Sequence, residues 1–324
     1  MLLTLILSSV LTFVELNCEN LFDTRHDSLK QDYEFLPGGA RYWTKTKYWN
    51  KLNNISKEII STSEKLPDLL ALCEVENDTV LHDLTRRSLL RNAGYDYLMT
   101  ESGDLRGIDV ALLYQPTSFL PLCYEYIRVP LVSGMRPTRD ILYVKGLTLD
   151  FDTLHVFIVH APSRYGGEKV SRPYRMQVSN TLCDYISTLG SANTIVAGDF
   201  NDYATSPALL QLEQQQLVNV TKVPKRTKPV KDSRETKTSK QKKKPISGNY
   251  RYQGEWHSLD HILVSPSMSA CVDTAYIHAA PFLLEEDTKY GGFRPRRTFQ
   301  GYKYQRGGYS DHLPLVVKFR RREK

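Results

Sequence analysis

The sequence predicts a layered α/β fold, on three observations. Short continuous apolar runs bounded by turn-forming residues, Leu69–Cys73, Thr194–Ala197, Ile262–Val264 and Leu315–Phe319, have the length and composition of strands buried on both faces. Segments with apolar residues at helical spacing alternate with them. With 324 residues and 41% apolar content the chain can bury a large core, and the length admits either one large layered domain or two smaller ones.

In chain order, Met1–Val10 resembles the apolar core of a signal peptide but lacks a basic leader and an Ala-x-Ala-like cleavage site, and it reads equally as the lead-in to a first strand. An exported or periplasmic location and a cytoplasmic one both stay open. Beyond that segment no stretch is long enough to span a membrane. Leu11–Asn17 reads as a strand ended by the turn-prone Asn17-Cys18-Glu19-Asn20, which makes Asn17 a strand-end amide. Lys45–Lys65 carries Trp49, Leu52, Ile55, Ile59 and Ile60 at helical spacing and stops before Pro67. Glu74 directly follows the Leu69–Cys73 run. An acid in that position is costly unless paired, hydrogen-bonded or bound to a metal, which marks Glu74 as a functional candidate. Asn77–Ala93 is predicted helical, with its cap at Asn77 or Asp78.

Tyr95–Thr100 and Asp109–Tyr114 read as a strand pair, with Glu101 and Arg106-Gly107 in the connection. Ile141–Leu149 and Leu154–His160 read as another, turning through Asp150–Thr153 and leaving His160 at a strand rim ahead of Arg164. A buried structural histidine is the plain alternative there. Ser171–Leu189 is predicted helical after Gly166-Gly167. The Thr194–Ala197 strand delivers Gly198-Asp199-Phe200-Asn201-Asp202. A calcium loop fails here, because Tyr203, Ala204 and Leu210 occupy its fifth, sixth and twelfth positions. Gly198 instead suggests close backbone approach. Asp199 and Asn201, two apart on extended chain, should face the same way.

Lys222–Asn249 is rich in Lys, Thr, Ser and Pro with few apolar residues, and is expected to be a disordered loop inserted into a single domain running from 11 to 324. Between Lys222 and Arg251 the excess of basic over acidic residues is +10, against +7 for the whole chain, so the remainder carries −3. The run reads as a solvated charge cluster or as an arm attracted to polyanions. The five cysteines are scattered without paired metal-type spacing and read mostly as buried thiols. Asp260 and His261 open the Ile262–Val264 strand, and Gly291–Gly308 is expected to be a loop. Its Arg296 and Arg297, with Arg164, are candidate phosphate contacts. Finally, Gly307-Gly308-Tyr309-Ser310-Asp311-His312 sets an acid and an imidazole on a glycine-led turn just before Leu315–Phe319. Alone, such a pair is more often a turn cap than a catalytic site.

The ordered series strand-Asn17, strand-Glu74, strand-His160, strand-Gly-Asp199-x-Asn201, Asp260-strand and Ser310-Asp311-His312-strand resembles the endonuclease/exonuclease/phosphatase superfamily. That group contains deoxyribonuclease I, exonuclease III, neutral sphingomyelinases and inositol polyphosphate 5-phosphatases, and the likeness runs from about Phe13 to Phe319, interrupted by the basic insertion. The resemblance implies a deoxyribonuclease I-like four-layer α/β sandwich, with two mixed sheets face to face and helices outside, and a metal-dependent phosphoester hydrolase. On it, Glu74 matches the main Mg²⁺ ligand, with Asn17 and Asp311 beside it. Asp199 and Asn201 match the pair that positions the attacking water and the phosphate. His312 matches the essential histidine and Asp260 the acid that orients it. His160 stands where abasic-site nucleases carry Tyr, which puts an abasic-site role in doubt, and Glu101 lies where deoxyribonuclease I keeps an acid paired with that histidine.

The chemistry agrees with the residue types. Phosphodiester attack needs a cation to neutralise oxygens, a base for water and an acid for the leaving oxygen. Hard oxygen ligands suit Mg²⁺ or Mn²⁺, and two histidines, each oriented by a carboxylate, can divide the proton transfers. The expectation is a monomeric phosphodiesterase of endonuclease type, with a phosphodiester substrate that includes nucleic acid. A phosphomonoesterase or sphingomyelinase-like enzyme is the alternative within the class, and a non-catalytic polyanion-binding module the alternative outside it. A serine hydrolase is disfavoured, since sequence neighbours rarely form a triad and no Gly-x-Ser-x-Gly elbow occurs.

Overall fold

The computed structural model describes residues 11–149, 152–222 and 246–320. The signal-like segment, the tip of the Asp150–Thr153 turn and most of the basic insertion lie outside them. Among the described residues eighteen strands run β1 (Leu11–Leu21), β2 (Leu69–Val75), β3 (Asp96–Met99), β4 (Asp109–Tyr114), β5 (Phe119–Ile127), β6 (Ile141–Thr148), β7 (Thr153–His160), β8 (Asn193–Asp199), β9 (Val218–Asn219), β10 (Tyr250–Tyr252), β11 (Glu255–His257), β12 (Asp260–Val264), β13 (Val272–Ile277), β14 (Leu284–Glu286), β15 (Phe293–Pro295), β16 (Phe299–Gln300), β17 (Lys303–Tyr304) and β18 (Leu315–Phe319). Two six-stranded mixed sheets result, in the orders β13-β18-β1-β2-β4-β3 and β5-β6-β7-β8-β12-β9. Each has a parallel pair at its centre, β1 with β2 and β7 with β8.

Period-two alternation separates three cores. Phe13, Ala71, Leu112, Val156, Ile195, Ile262 and Val317 pack between the sheets. Their neighbours Val14, Leu16, Leu70 and Leu72 turn outward beneath α1 (Lys45–Ser61) and α2 (Asp78–Arg86). On the other flank Phe157, Val159 and Val196 meet α3 (Glu168–Ser187) and α4 (Pro207–Gln214). The order helix, sheet, sheet, helix is the four-layer sandwich, and full burial of each Leu, Ile or Phe contributes about 1.5–3 kcal/mol.

Several sequence expectations shift at their ends. α1 stops at Ser61, with Thr62 as its cap, and Ile60 is exposed. α2 is capped by Asn77, whose side chain accepts from the Val80 N–H, but it closes at Arg86 because the N–H groups of both Arg87 and Ser88 turn onto the Asp83 carbonyl. α3 begins at Glu168, three residues earlier than expected. β1 does not end at Asn17. It runs on to Leu21 through a break in register against β2, with Glu19 and Asn20 in the left-handed region. Phe119–Ile127 carried no strand signal because as an edge strand most of its residues are exposed. The Gly291–Gly308 segment, expected to be loop, holds β15, β16 and β17. At the described flanks of the insertion Lys222 pairs with Glu213 at 2.9 Å, and Asn249 is buried. Of the cysteines, Cys18, Cys73 and Cys183 are buried, while Cys123 is exposed.

Candidate active site

The site forms where the inter-sheet core opens at one rim. Gly308 sits against Arg297, where a Cβ would meet the Arg297 carbonyl oxygen at 2.2 Å, and this tight turn feeds Ser310, Asp311 and His312 toward β1 and β12. Ser310 Oγ donates to the Asn17 carbonyl at 2.6 Å and accepts from the His312 N–H at 3.2 Å, which fixes the turn. His312 is buried, and its Nδ1 lies 2.6 Å from Oδ2 of the fully buried Asp260. The Asn249 amide donates to that same oxygen. Tyr250 packs its ring on His312, with centroids 4.8 Å apart. Burial opposes charge on the imidazole, yet the Asp260 carboxylate, by charge and hydrogen bond, outweighs it and holds His312 well above the usual histidine range.

Asp199 ends β8 beside β12, opposite Asp260 in register. Gly198 before it has φ 142°, and a Cβ there would stand 1.9 Å from the Val159 carbonyl oxygen, so only glycine lets β7 and β8 approach. Asp199 and Asn201 do face one another, but not through extended chain. Asn201 is left-handed with φ 50°, its N–H donates to Asp199 Oδ1 at 2.8 Å, and its amide reaches Oδ2 at 3.3 Å. Asn17 donates its amide to Asp199 Oδ2 at 3.0 Å and accepts the Glu19 N–H at 2.9 Å. It therefore supports Asp199 from beneath. Burial, then the charge of Asp260, pushes Asp199 up to about 7.

Glu74 follows β2's apolar core with φ 62°, a left-handed turn inside a strand that a non-glycine residue adopts only where neighbours hold it. The Asn20 N–H and the Arg106 guanidinium both bind Glu74 Oε2 at 2.8 Å. Burial alone would raise this acid, but Arg106, followed by His160, His312 and Arg139, brings it down to about 2. His160 Nε2 lies 3.7 Å from Asp199 and 3.9 Å from Glu74, and its buried Nδ1 has no hydrogen-bond partner among the described residues. Burial, then Arg139, holds His160 well below the usual histidine range, the reverse of the direction at His312.

The expected carboxylate partner of His160 is not Glu101. Glu101 is exposed, and Asp104 instead turns inward to hold Arg139 at 3.1 Å, while Arg139 donates to the His160 and Ala161 carbonyls. The chain thus steadies His160 through its backbone. Among the arginines, Arg164 reaches the cavity but is committed to Asp202 at 3.0 Å and Glu168 at 2.8 Å. Arg297 stands 3.5 Å from Asp311. Arg296 is turned away, its guanidinium on the Leu284 carbonyl.

Glu74, Asp199, Asp311, His160, His312 and Asn201 all line one cavity of about 820 Å³. Asp199, Asp260 and His312 each bring a ligand atom within 4.8 Å of the others. Three carboxylates facing one cavity, with the buried Asp199 set beside the Asp260 carboxylate, fit a hard divalent cation. Arg106, Arg139, Asn249 and Tyr250 escaped sequence reasoning. Arg106-Gly107 shared the rim position of a strand connection, a usable signal, whereas Asn249 lay at the end of a basic run whose composition argues against order.

The family model for the endonuclease/exonuclease/phosphatase family matches residues 12–321, nearly the whole chain. The chain belongs to this family. Its members are phosphoester hydrolases. No curated protein matches the chain. Among solved structures it is similar to a family protein from Bacteroides thetaiotaomicron, with 15% identity over 97% of this chain and 98% of that one and a TM-score of 0.62. It is similar to the mannosyl-6-phosphatase Bt3783 of the same organism, with 15% identity over 95% and 98% and a TM-score of 0.59. D. rerio TDP2 complexed with a single-strand DNA product shares 15% identity over 96% and 99%, with a TM-score of 0.53. These likenesses show that the two-sheet sandwich is that of the endonuclease/exonuclease/phosphatase family.

Proposed function

We propose that the protein is a Mg²⁺- or Mn²⁺-dependent phosphodiesterase of endonuclease type. The observation that carries the reading is that His312, hydrogen-bonded to the buried Asp260, faces the same cavity as three carboxylates. Glu74 and Asp311 would hold the cation, while Asn17, its oxygen taken by the Glu19 N–H, positions Asp199 rather than the ion. Bound there, a divalent cation neutralises phosphate oxygens and makes a water molecule more acidic. Asp199, near neutrality in its protonation and fixed by Asn201 and Asn17, accepts a proton from the attacking water. His312 presents its remaining nitrogen, Nε2, to the reacting phosphate as a cation and stabilises the charge that grows there. His160, neutral at working pH, stands on the leaving-group side.

Hydrolysis of bis(p-nitrophenyl) phosphate against p-nitrophenyl phosphate, with Mg²⁺, Mn²⁺ or EDTA and His312→Ala as control, tests this. Metal-dependent diester cleavage, lost in the variant, is expected. Turnover of the monoester alone would replace the reading by a phosphomonoesterase, the activity named for one of the similar structures.

A further inference from the structure

Helix α1 carries two buried stripes. Tyr48, Leu52, Ile55 and Ile59 form the apolar stripe of a helix packed on a sheet, and beside it Lys51, Asn54 and Glu58 repeat at three- and four-residue spacing and are buried as well. Polar side chains on a covered face cost more than apolar ones unless they meet partners, so this second stripe is expensive to keep for packing alone. Its first two members face the β16–β17 hairpin and the turn that leads from the hairpin to Asp311 and His312.

Both hold that turn by its backbone. The Lys51 side chain is fully buried, and its Nζ donates to the Tyr309 carbonyl and, at 2.5 Å, to Thr298 Oγ1. Among the described residues Glu19 is the one acid within 4.0 Å of that nitrogen, so the amine serves a carbonyl and a hydroxyl rather than a close ion pair. The Asn54 amide donates to the Gly308 carbonyl at 2.8 Å and to the Arg306 carbonyl at 3.2 Å. Glu19, near the end of β1, accepts the Thr298 N–H at 2.6 Å and ties the same hairpin to the sheet.

Ser310, Asp311 and His312 follow Tyr309 directly. Ser310 is fixed by the Asn17 carbonyl and His312 by Asp260. The Asp311 carboxylate makes no hydrogen bond among the described residues and stands 3.5 Å from Arg297, so its place in the cavity is set by the backbone of the turn. We propose that Lys51, assisted by Asn54, is a positioning residue of the site: through the Tyr309 carbonyl it sets where the Asp311 carboxylate and the His312 ring stand in the cavity. This rests on the reading of Asp311 and His312 as parts of a phosphodiesterase centre.

Lys51→Met keeps the stem and removes the amine. Exchanging buried polar groups for apolar ones of like volume is often neutral for stability, so lost function in a variant that melts like the wild type reports placement rather than packing. The thermal midpoint should stay within a few degrees of the wild type. For whichever nitrophenyl ester the wild type hydrolyses, kcat should fall about 10- to 100-fold with KM within about threefold, and the Mg²⁺ dissociation constant from calorimetry should rise about tenfold. Asn54→Ala should show the same split in smaller measure, and it decides the matter if Lys51→Met does not fold. A kcat per folded molecule and a Mg²⁺ affinity both within about twofold of the wild type, or a change in KM alone, would overturn the proposal.

Turnover of neither ester by the wild type would instead remove the phosphodiesterase reading. The positioning is then judged without chemistry, from the ¹H–¹⁵N signal of the His312 Nδ1 proton, identified as the downfield resonance that Asp260→Asn removes. That resonance should shift or broaden in Lys51→Met, and an unmoved resonance would overturn the assignment of Lys51.

Discussion

Nδ1 of His312 lies 2.6 Å from Oδ2 of Asp260, in a contact that joins the turn before β18 to the first residue of β12 and leaves Asp260 fully buried. The relationship makes the charge on His312 a property of Asp260. Asp260→Asn keeps the volume and removes the charge, so burial should then bring the imidazole down out of its raised range. The expected result is a kcat loss of about 10²-fold or more, with the basic limb of the kcat–pH profile moved to lower pH. A variant with reduced kcat but an unmoved basic limb would show that Asp260 acts by packing alone.

Glu74 should set metal dependence. Its carboxylate is ionised down to about pH 2 and reaches the cavity only because φ 62° rotates it out of β2. Glu74→Gln keeps the shape and weakens both cation binding and the pull on Arg106. Activity should fall about 10³-fold, and EDTA should abolish what the wild type shows. At about 100 times its dissociation constant, Mg²⁺ should stabilise the wild type by about 2.7 kcal/mol in thermal denaturation. That gain should vanish in Glu74→Gln, and an equal gain in both proteins would place the ion elsewhere.

The strands that carry the site were legible because burial on both faces leaves an unbroken apolar run, and Glu74, Asp199 and His312 each follow or precede such a run. What stayed hidden depended on backbone turns and distant partners. Nothing local in Asn201 announces φ 50°, and the pairing of Asn201 with Asp199 is right for a reason that extended-chain periodicity does not contain. Asn249 ends a stretch whose composition argues against order, yet it donates to Asp260, a partner fixed only by tertiary structure. Glu101 failed for the same reason in reverse. Its position in the connection was right, but the loop turns Asp104 inward and leaves Glu101 in solvent.

Gly198 is the position where the backbone leaves least room. An alanine methyl would stand 1.9 Å from the Val159 carbonyl oxygen, on a residue with φ 142°. Relief requires parting the central parallel pair β7–β8, which carries both His160 and Asp199. Gly198→Ala should cost roughly 2–4 kcal/mol and lower kcat in the folded fraction, read by urea denaturation and by turnover of the same samples. A stable, fully active variant would mean that the strands can separate without moving the site.

Glu58 gives the fold a pH dependence separate from catalysis. It lies in α1, 1% exposed, with neither carboxylate oxygen hydrogen-bonded. Burial, opposed by Lys51 and reinforced by Glu19, pushes it up to about 8 from the ordinary 4.5. The folded state thus keeps a proton that the unfolded chain releases above about pH 4.5, so the favourable contribution is complete below that pH and is lost as pH rises toward 8. Glu58→Gln removes the ionisation and retains the shape. Relative to wild type, the variant should match at pH 4 and gain on the order of 4 kcal/mol by pH 8 in denaturant melts. A difference that shrinks as pH rises would mean that Glu58 is ionised in the fold, paired with Lys51, whose Nζ instead binds Thr298 Oγ1 at 2.5 Å and the Tyr309 carbonyl.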